Sequence, residues 1–258
     1  MVVNILLTIT ALSALALMEI GLGIQYAFTP RKRRLALCAA YEQAGSWLLL
    51  KLFEVARGFV IPVRNPHRIE IPPQCLVVAN HQSLMDIIVL MRFLGGSRKP
   101  RFVAKQELRY GIPLVSFLLR KGGHSLIQRK GAAMDTMRAI TDMALLCMQE
   151  GASPVIFPEG TRSRTGKLGP FHAAGVRRIQ EVVSLPVVAI AIEGGWKIAT
   201  LRGFLRNFGI TPYTLELSGL YQAPHGKKEM VSVLEQARDA IATSIGQIRK
   251  DHGDATPV

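Results

Sequence analysis

The sequence predicts an α/β domain, a partly parallel sheet flanked by helices, preceded by an N-terminal helical membrane anchor. Three observations predict it. Residues 2–18 are apolar except for Asn4, Thr8, Thr10 and Ser13. From about residue 68 the texture changes, and short β-branched runs alternate with stretches of helical length. The chain of 258 residues combines 49% hydrophobic residues with a formal net charge of +14, and its length suits one core plus an appendage.

Taken in order, residues 2–18 are marginal for a hydrocarbon core of roughly 30 Å, and Glu19 is costly near its middle. Apolar character resumes to Phe28, and Arg31, Lys32, Arg33 and Arg34 come directly afterwards. A secretory signal carries its positive charge before the apolar run, so this order is the reverse of a signal. By the positive-inside rule the basic cluster and the chain beyond it face the cytoplasm, on an inner or other membrane. Residues 35–59 place apolar side chains at helical spacing around Trp47, Leu48, Leu50 and Leu52. Residues 1–60 thus read as a helical anchor, either spanning or dipping into one leaflet as a hairpin.

Residues 61–250 form the α/β domain. Strands are expected at 75–79, 101–104, 154–157, 186–192 and 213–220, and helices at 84–93, 113–119, 132–149, 173–182 and 229–248. Residues 251–258 read as a disordered tail.

The charge narrows the partners. A nucleic-acid binder clusters basic residues without long apolar runs and shows aromatic-and-basic strands, neither of which is present. Lysines and arginines beside apolar segments suit an anionic membrane surface, and the same charge suits an acidic carrier protein. The plainer reading is that a positive surplus keeps the chain soluble. Cys38, Cys75 and Cys147 are odd in number, widely spaced and without a CxxC pair. They read as packing residues in a reducing compartment, with no metal site.

Two segments carry chemistry. Asn80-His81-Gln82-Ser83-Leu84-Met85-Asp86 lies between an expected strand and helix. A histidine there can take the proton of an attacking alcohol, and a carboxylate on its other nitrogen fixes the tautomer. Five helical steps rotate by about 140°, so the two meet only if His81 sits in the turn and Asp86 in the first helical turn. Ser83 and Asp86 equally fit a capping box. The second segment, Phe157-Pro158-Glu159-Gly160-Thr161-Arg162-Ser163-Arg164, comes after another strand. Gly160 permits close backbone approach and an arginine fork suits a phosphate, while a solvated charged loop is the bland alternative.

Together these residues resemble the glycerolipid acyltransferase family, whose 1-acylglycerol-3-phosphate acyltransferases carry Asn-His-x4-Asp and then Phe-Pro-Glu-Gly-Thr-Arg-Ser. The resemblance covers roughly residues 75–195. It implies a glycerol-3-phosphate acyltransferase-like fold and an acyltransferase of phospholipid synthesis. A fatty acyl chain would pass from acyl-CoA or acyl carrier protein to the sn-2 hydroxyl of 1-acylglycerol-3-phosphate, a lysophospholipid, making phosphatidic acid without an acyl-enzyme. No cofactor or metal is implied beyond that co-substrate. On this resemblance His81 is the general base and Asp86 its orienting partner. Lys105, Arg129, Glu159, Gly160, Thr161 and Arg162 bind the acceptor. The chain departs from the family at Gln128, where an acid is usual. It departs again at Ala189, where a second proline is usual, and at His172, where a lysine often stands.

Rival readings separate on particular residues. Gly123-His124-Ser125-Leu126-Ile127 begins like a nucleophile elbow but ends in isoleucine, which removes a serine hydrolase. His67, His124, His172, His225 and His252 read as strand-end or surface residues. Another lysolipid, such as lyso-ornithine lipid, is the alternative acceptor. A non-catalytic membrane-interaction protein is the alternative of another class, and the presence of His81, Asp86 and Glu159 together argues against it.

Overall fold

The computed structural model describes residues 1–128, 133–254 and 258. Two long helices, α1 (Val2–Phe28) and α2 (Arg34–Arg57), open the chain as an antiparallel hairpin joined through Arg31–Arg33. Residues Asn4, Leu7, Ala11, Leu15 and Leu22 of α1 are buried in one stripe, the spacing by which one helical face meets a core. The opposite face leaves Val2, Leu6, Ile9, Leu17, Ile20, Ile24 and Phe28 exposed. Among the described residues α1 is the helix long and apolar enough to cross a membrane.

The polar residues of α1 have specific work. Asn4 Nδ2 donates to the carbonyls of Phe204, Leu205 and Phe208, 3.0 to 3.4 Å away, at the end of a short helix. Glu19 accepts the Leu114 amide at 3.1 Å. A carboxylate that is costly in lipid is thereby satisfied by protein backbone. Helix α2 is fastened by a buried group: Arg101 Nη1 donates to Glu42 Oε2 at 2.9 Å, and His124 Nε2 lies 2.9 Å from Glu42 Oε1. The helical hairpin therefore shares a core with the α/β domain.

That domain comprises β1 (Val63–Arg64), β2 (Leu76–Ala79), α3 (Met85–Leu94), β3 (Arg101–Lys105), α4 (Val115–Lys121), β4 (Ser125–Ile127), α5 (Ala133–Glu150) and β5 (Pro154–Ile156). It closes with α6 (Ala173–Val182), β6 (Val187–Glu193), α7 (Leu201–Asn207), β7 (Thr214–Tyr221) and α8 (Gly226–Asp251). The sheet order is β1-β7-β6-β2-β5-β3-β4, with every pair parallel except β6 and β7. Strand β2 is wholly buried because both faces are covered, which is why its sequence is apolar without alternation. Val77 and Ala79 face the side covered by α1, α2 and α3, whereas Leu76 and Val78 face α5, α6 and α8.

The expected strands and helices are present, most shifted by one to three residues at an end. Strand β4 and helix α7 were not expected, and neither was β1. Two- or three-residue strands are too short to show a period, and α7 takes its end cap from Asn4, 200 residues away. The expected tail is corrected at its start: Asp251 is the last residue of α8, and Asp254 accepts from Lys197 Nζ at 2.6 Å.

Candidate active site

The sheet brings the two motifs together. Strands β2 and β5 are parallel neighbours, with Val78 opposite Ile156, so the segments that leave their carboxyl ends emerge side by side. The loop after β2 carries His81, and the loop after β5 carries Phe157 to Arg162. They are tied at the backbone: the Ser163 amide donates to the His81 carbonyl at 2.8 Å.

His81 sits in the turn and Asp86 in the first turn of α3, and His81 Nδ1 lies 2.8 Å from Asp86 Oδ2. Asp86 is fully buried and accepts at every contact. Oδ2 also takes the amides of Gln82 (2.6 Å) and Ser83 (2.8 Å), while Oδ1 takes the Ser83 hydroxyl (3.1 Å) and the Tyr213 phenol (2.6 Å). An acceptor-only carboxylate places the ring proton on Nδ1, leaving the Nε2 lone pair for a ligand. Nε2 makes no hydrogen bond among the described residues, and His81 lines a cavity of about 230 Å³. Its ring stacks on Phe157 with centroids 4.1 Å apart. The capping reading also holds, since Ser83 Oγ accepts the Met85 amide at 3.2 Å. Cap and histidine share one carboxylate.

The cavity wall is apolar at Leu84, Ile87, Val103, Met137, Ile140 and Ile156, and cationic at Lys105 and Arg162. Gly160, at φ +64°, turns the chain at its rim, a conformation in which a side chain is strained. His172 also lines the cavity, contrary to its reading as an ordinary surface residue. Ile87 borders a second, smaller apolar cavity of about 80 Å³ between the hairpin and the domain.

Two expected acceptor ligands are not part of the wall of the His81 cavity. Glu159 is buried and absent from the cavity wall: Oε1 accepts the His81 amide at 2.8 Å and Oε2 the Gly169 amide at 2.9 Å. An anion cannot assist a phosphate, and this one holds the histidine's backbone instead. Burial pushes its carboxyl above the ordinary range, while the bonds from the His81 and Gly169 amides pull it down. Thr161 is exposed and not part of the wall. Arg129 lies outside the described residues.

Sequence reasoning did not find Tyr213, whose hydroxyl completes the shell around Asp86. Burial first, and the Asp86 charge beside it next, raise this phenol well above its ordinary range, so it stays a donor. Of the departures from the family pattern, Ala189 lies in the β6 core at the irregularity between Ala189 and Ile190 and faces Ala237, Ile241 and Ile245. Its difference bears on strand packing, not on the cavity. The cysteines are buried, and burial raises the Cys75 thiol and pushes Cys38 to about 11 and Cys147 to about 12.

A carboxylate-oriented histidine beside cations, at the carboxyl ends of parallel strands, suits general-base chemistry on an anionic amphiphile. Residues 60–193 match the family model described as Acyltransferase, and the chain belongs to that family. It is similar to 1-acyl-sn-glycerol-3-phosphate acyltransferase beta of Homo sapiens, 30% identical over 206 residues, 78% of this chain and 70% of that protein. The chloroplastic 1-acyl-sn-glycerol-3-phosphate acyltransferase of Arabidopsis thaliana is 28% identical over 92% of this chain and 62% of its own. A chloroplastic enzyme of the same description from Brassica napus is 39% identical over 48% of this chain, which spans 34% of that protein. Among solved structures, the 1-acyl-sn-glycerophosphate acyltransferase of Thermotoga maritima shares the fold, with a TM-score of 0.70 at 19% identity, covering 96% of this chain and 95% of that one.

Proposed function

We propose that this acyltransferase moves a fatty acyl chain from acyl-CoA or acyl carrier protein to the sn-2 hydroxyl of 1-acylglycerol-3-phosphate, yielding phosphatidic acid. The His81–Asp86 contact of 2.8 Å at the cavity wall carries the reading. Nε2 takes the proton of the acceptor hydroxyl as its oxygen attacks the thioester carbonyl carbon. The tetrahedral intermediate collapses, the C–S bond breaks, and the imidazolium returns the proton to the leaving thiolate. Asp86 stabilises that imidazolium, and Tyr213 and Ser83 stabilise Asp86.

Direct attack is supported by the wall itself, which among the described residues includes neither serine nor cysteine and whose threonine, Thr136, donates its hydroxyl to the Gln128 carbonyl at 3.3 Å. Lys105 and Arg162 are the phosphate ligands, with Arg129 as a third. Glu159 holds the loop through the His81 and Gly169 amides, and Gly160 lets the backbone approach the acceptor at the cavity rim. The apolar wall takes acyl methylenes, each worth about 0.8 kcal/mol on burial. No cofactor enters the reaction. The exposed apolar face of α1 and the cations at Arg31–Arg34 support a hairpin seated in an anionic membrane, with the domain on its cytoplasmic side.

Acyl transfer by detergent-solubilised protein, with a panel of lysolipids and either thioester donor, tests the reading beside His81→Ala. Transfer to 1-acylglycerol-3-phosphate that disappears in the variant is the expected result. Transfer to another lysolipid alone would keep the chemistry and replace the acceptor. Substantial turnover by His81→Ala would remove the base.

A further inference from the structure

A buried ion pair far along the chain reaches the same loops. Arg249, near the end of α8, and Glu193, the last residue of β6, are both buried, with Arg249 Nη2 3.0 Å from Glu193 Oε2. The pair does not touch the cavity. Glu193 Oε2 also accepts from Gln82 Nε2 at 2.8 Å, and Oε1 accepts from the Trp196 indole at 3.1 Å. Gln82, next in the chain after His81, gives its amide to Asp86 and takes the Gly195 amide on Oε1 at 2.9 Å. The other reach of Arg249 Nη2 is the Gly166 carbonyl at 2.7 Å, in the loop that carries Arg162.

We propose that Arg249 and Glu193 are positioning residues for the transfer, holding the His81–Asp86 loop and the Arg162 loop in one fixed relation; this rests on the function proposed above. The ion pair links the two loops, Arg249 to the Gly166 carbonyl and Glu193 to Gln82, from a helix and a strand that belong to neither. Packing around it leaves no slack. Gly166 has φ +81°, and a Cβ there would lie 2.9 Å from Arg249 Nη2 and 2.8 Å from Trp196 Nε1. A Cβ on Gly195 would lie 2.9 Å from Asp86 Oδ1. The cost of burying this charge pair is offset by the bonds it makes to Gln82, Trp196 and the Gly166 carbonyl, which constrain its geometry. The bonds run to catalytic loops, whereas a pair serving α8 alone would need no partner at Gln82. Shifting the base from its acceptor by about 1 Å costs on the order of a hundredfold in rate.

The test compares Arg249→Lys, Arg249→Met and Glu193→Gln with Asp251→Asn, which severs the exposed pair of α8 with Arg64. Transfer kinetics and amide exchange by mass spectrometry are read on each. The expected result is a fall in kcat on the order of tenfold to a hundredfold for Arg249→Met and Glu193→Gln, with donor KM within about twofold. Arg249→Lys should recover part of it. Exchange should quicken in residues 80–86 and 160–168 together, and Asp251→Asn should change neither. Wild-type kcat with unchanged exchange in Arg249→Lys and Glu193→Gln, or equal losses in Asp251→Asn, would overturn the proposal. If Arg249→Met does not fold, the other two variants decide it. If the wild-type protein transfers to no lysolipid, the proposed function fails, and the exchange comparison alone judges the positioning.

Discussion

The phenol of Tyr213 donates to Asp86 Oδ1 at 2.6 Å across 127 residues of sequence, so the entry to β7 holds the carboxylate that orients His81. Both groups are buried, and the bond to a charged acceptor belongs to the stronger class. Tyr213→Phe deletes that one oxygen. The expected outcome is a fall in kcat of about tenfold, equivalent to about 1.4 kcal/mol of barrier. Stability should fall by about 1–3 kcal/mol. Steady-state kinetics beside thermal denaturation check it, and unchanged kcat would show that Ser83 and the two amides suffice.

Arg162 lines the cavity but makes no bond to the His81–Asp86 pair. Its loss should therefore weaken acceptor binding more than the chemical step. Arg162→Ala is expected to raise the acceptor KM about tenfold with kcat within about twofold. Lys105→Ala should act in the same direction. An unchanged KM in both would move the phosphate site elsewhere in the cavity.

Glu159 links pH to stability with a definite sign. Burial raises its carboxyl above the ordinary 4.5, so the folded protein binds more protons than the unfolded chain between these two values. The stability that the group contributes is present below pH 4.5 and is lost as pH rises through its folded value. Glu159→Gln should flatten that part of the Tm-against-pH curve. It also leaves one of two backbone amides facing an NH2 group, so kcat should fall with Tm. An identical pH slope in the variant would contradict the assignment.

The thiols stand outside the chemistry. With Cys38 and Cys147 pushed to about 11 and about 12, the reactive thiolate is scarce at neutral pH. Transfer activity is expected to survive iodoacetamide, and equally a strong chelator, since the proposed steps use only side chains of the protein. Inactivation by either reagent, with the fold intact by circular dichroism, would bring a thiol or a metal into the reaction.

How much of this was legible in the sequence depended on distance along the chain. His81 and Asp86 lie five residues apart, so the spacing allowed them to meet across the start of a helix, and the resemblance to the acyltransferase motif assigned the pair. The central strands were legible because burial on both faces demands unbroken apolar runs. Glu159 was placed in the right loop, and the structure shows its carboxylate on the His81 and Gly169 amides. A carboxylate in a charged motif looks the same whether it faces a ligand or two backbone amides. Asn4 and Glu19 were read as blemishes in an apolar helix, and each proves to hold a backbone group of the α/β domain.

By itself, the sequence determined the α/β class, the helical segment ahead of it, and the nearness of a histidine and an aspartate at the start of one helix. These come from periodicity and short-range geometry, which a linear pattern records directly. Only the tertiary structure decided that Tyr213 completes the Asp86 shell, that Glu159 holds the His81 backbone, and that the Arg249–Glu193 pair links the loop after β5 to Gln82. Those partners are 56 to 127 residues apart. The order of strands β6-β2-β5 brings their loops to one edge of the sheet. A buried polar group must find a partner, but which one it finds is settled by that packing.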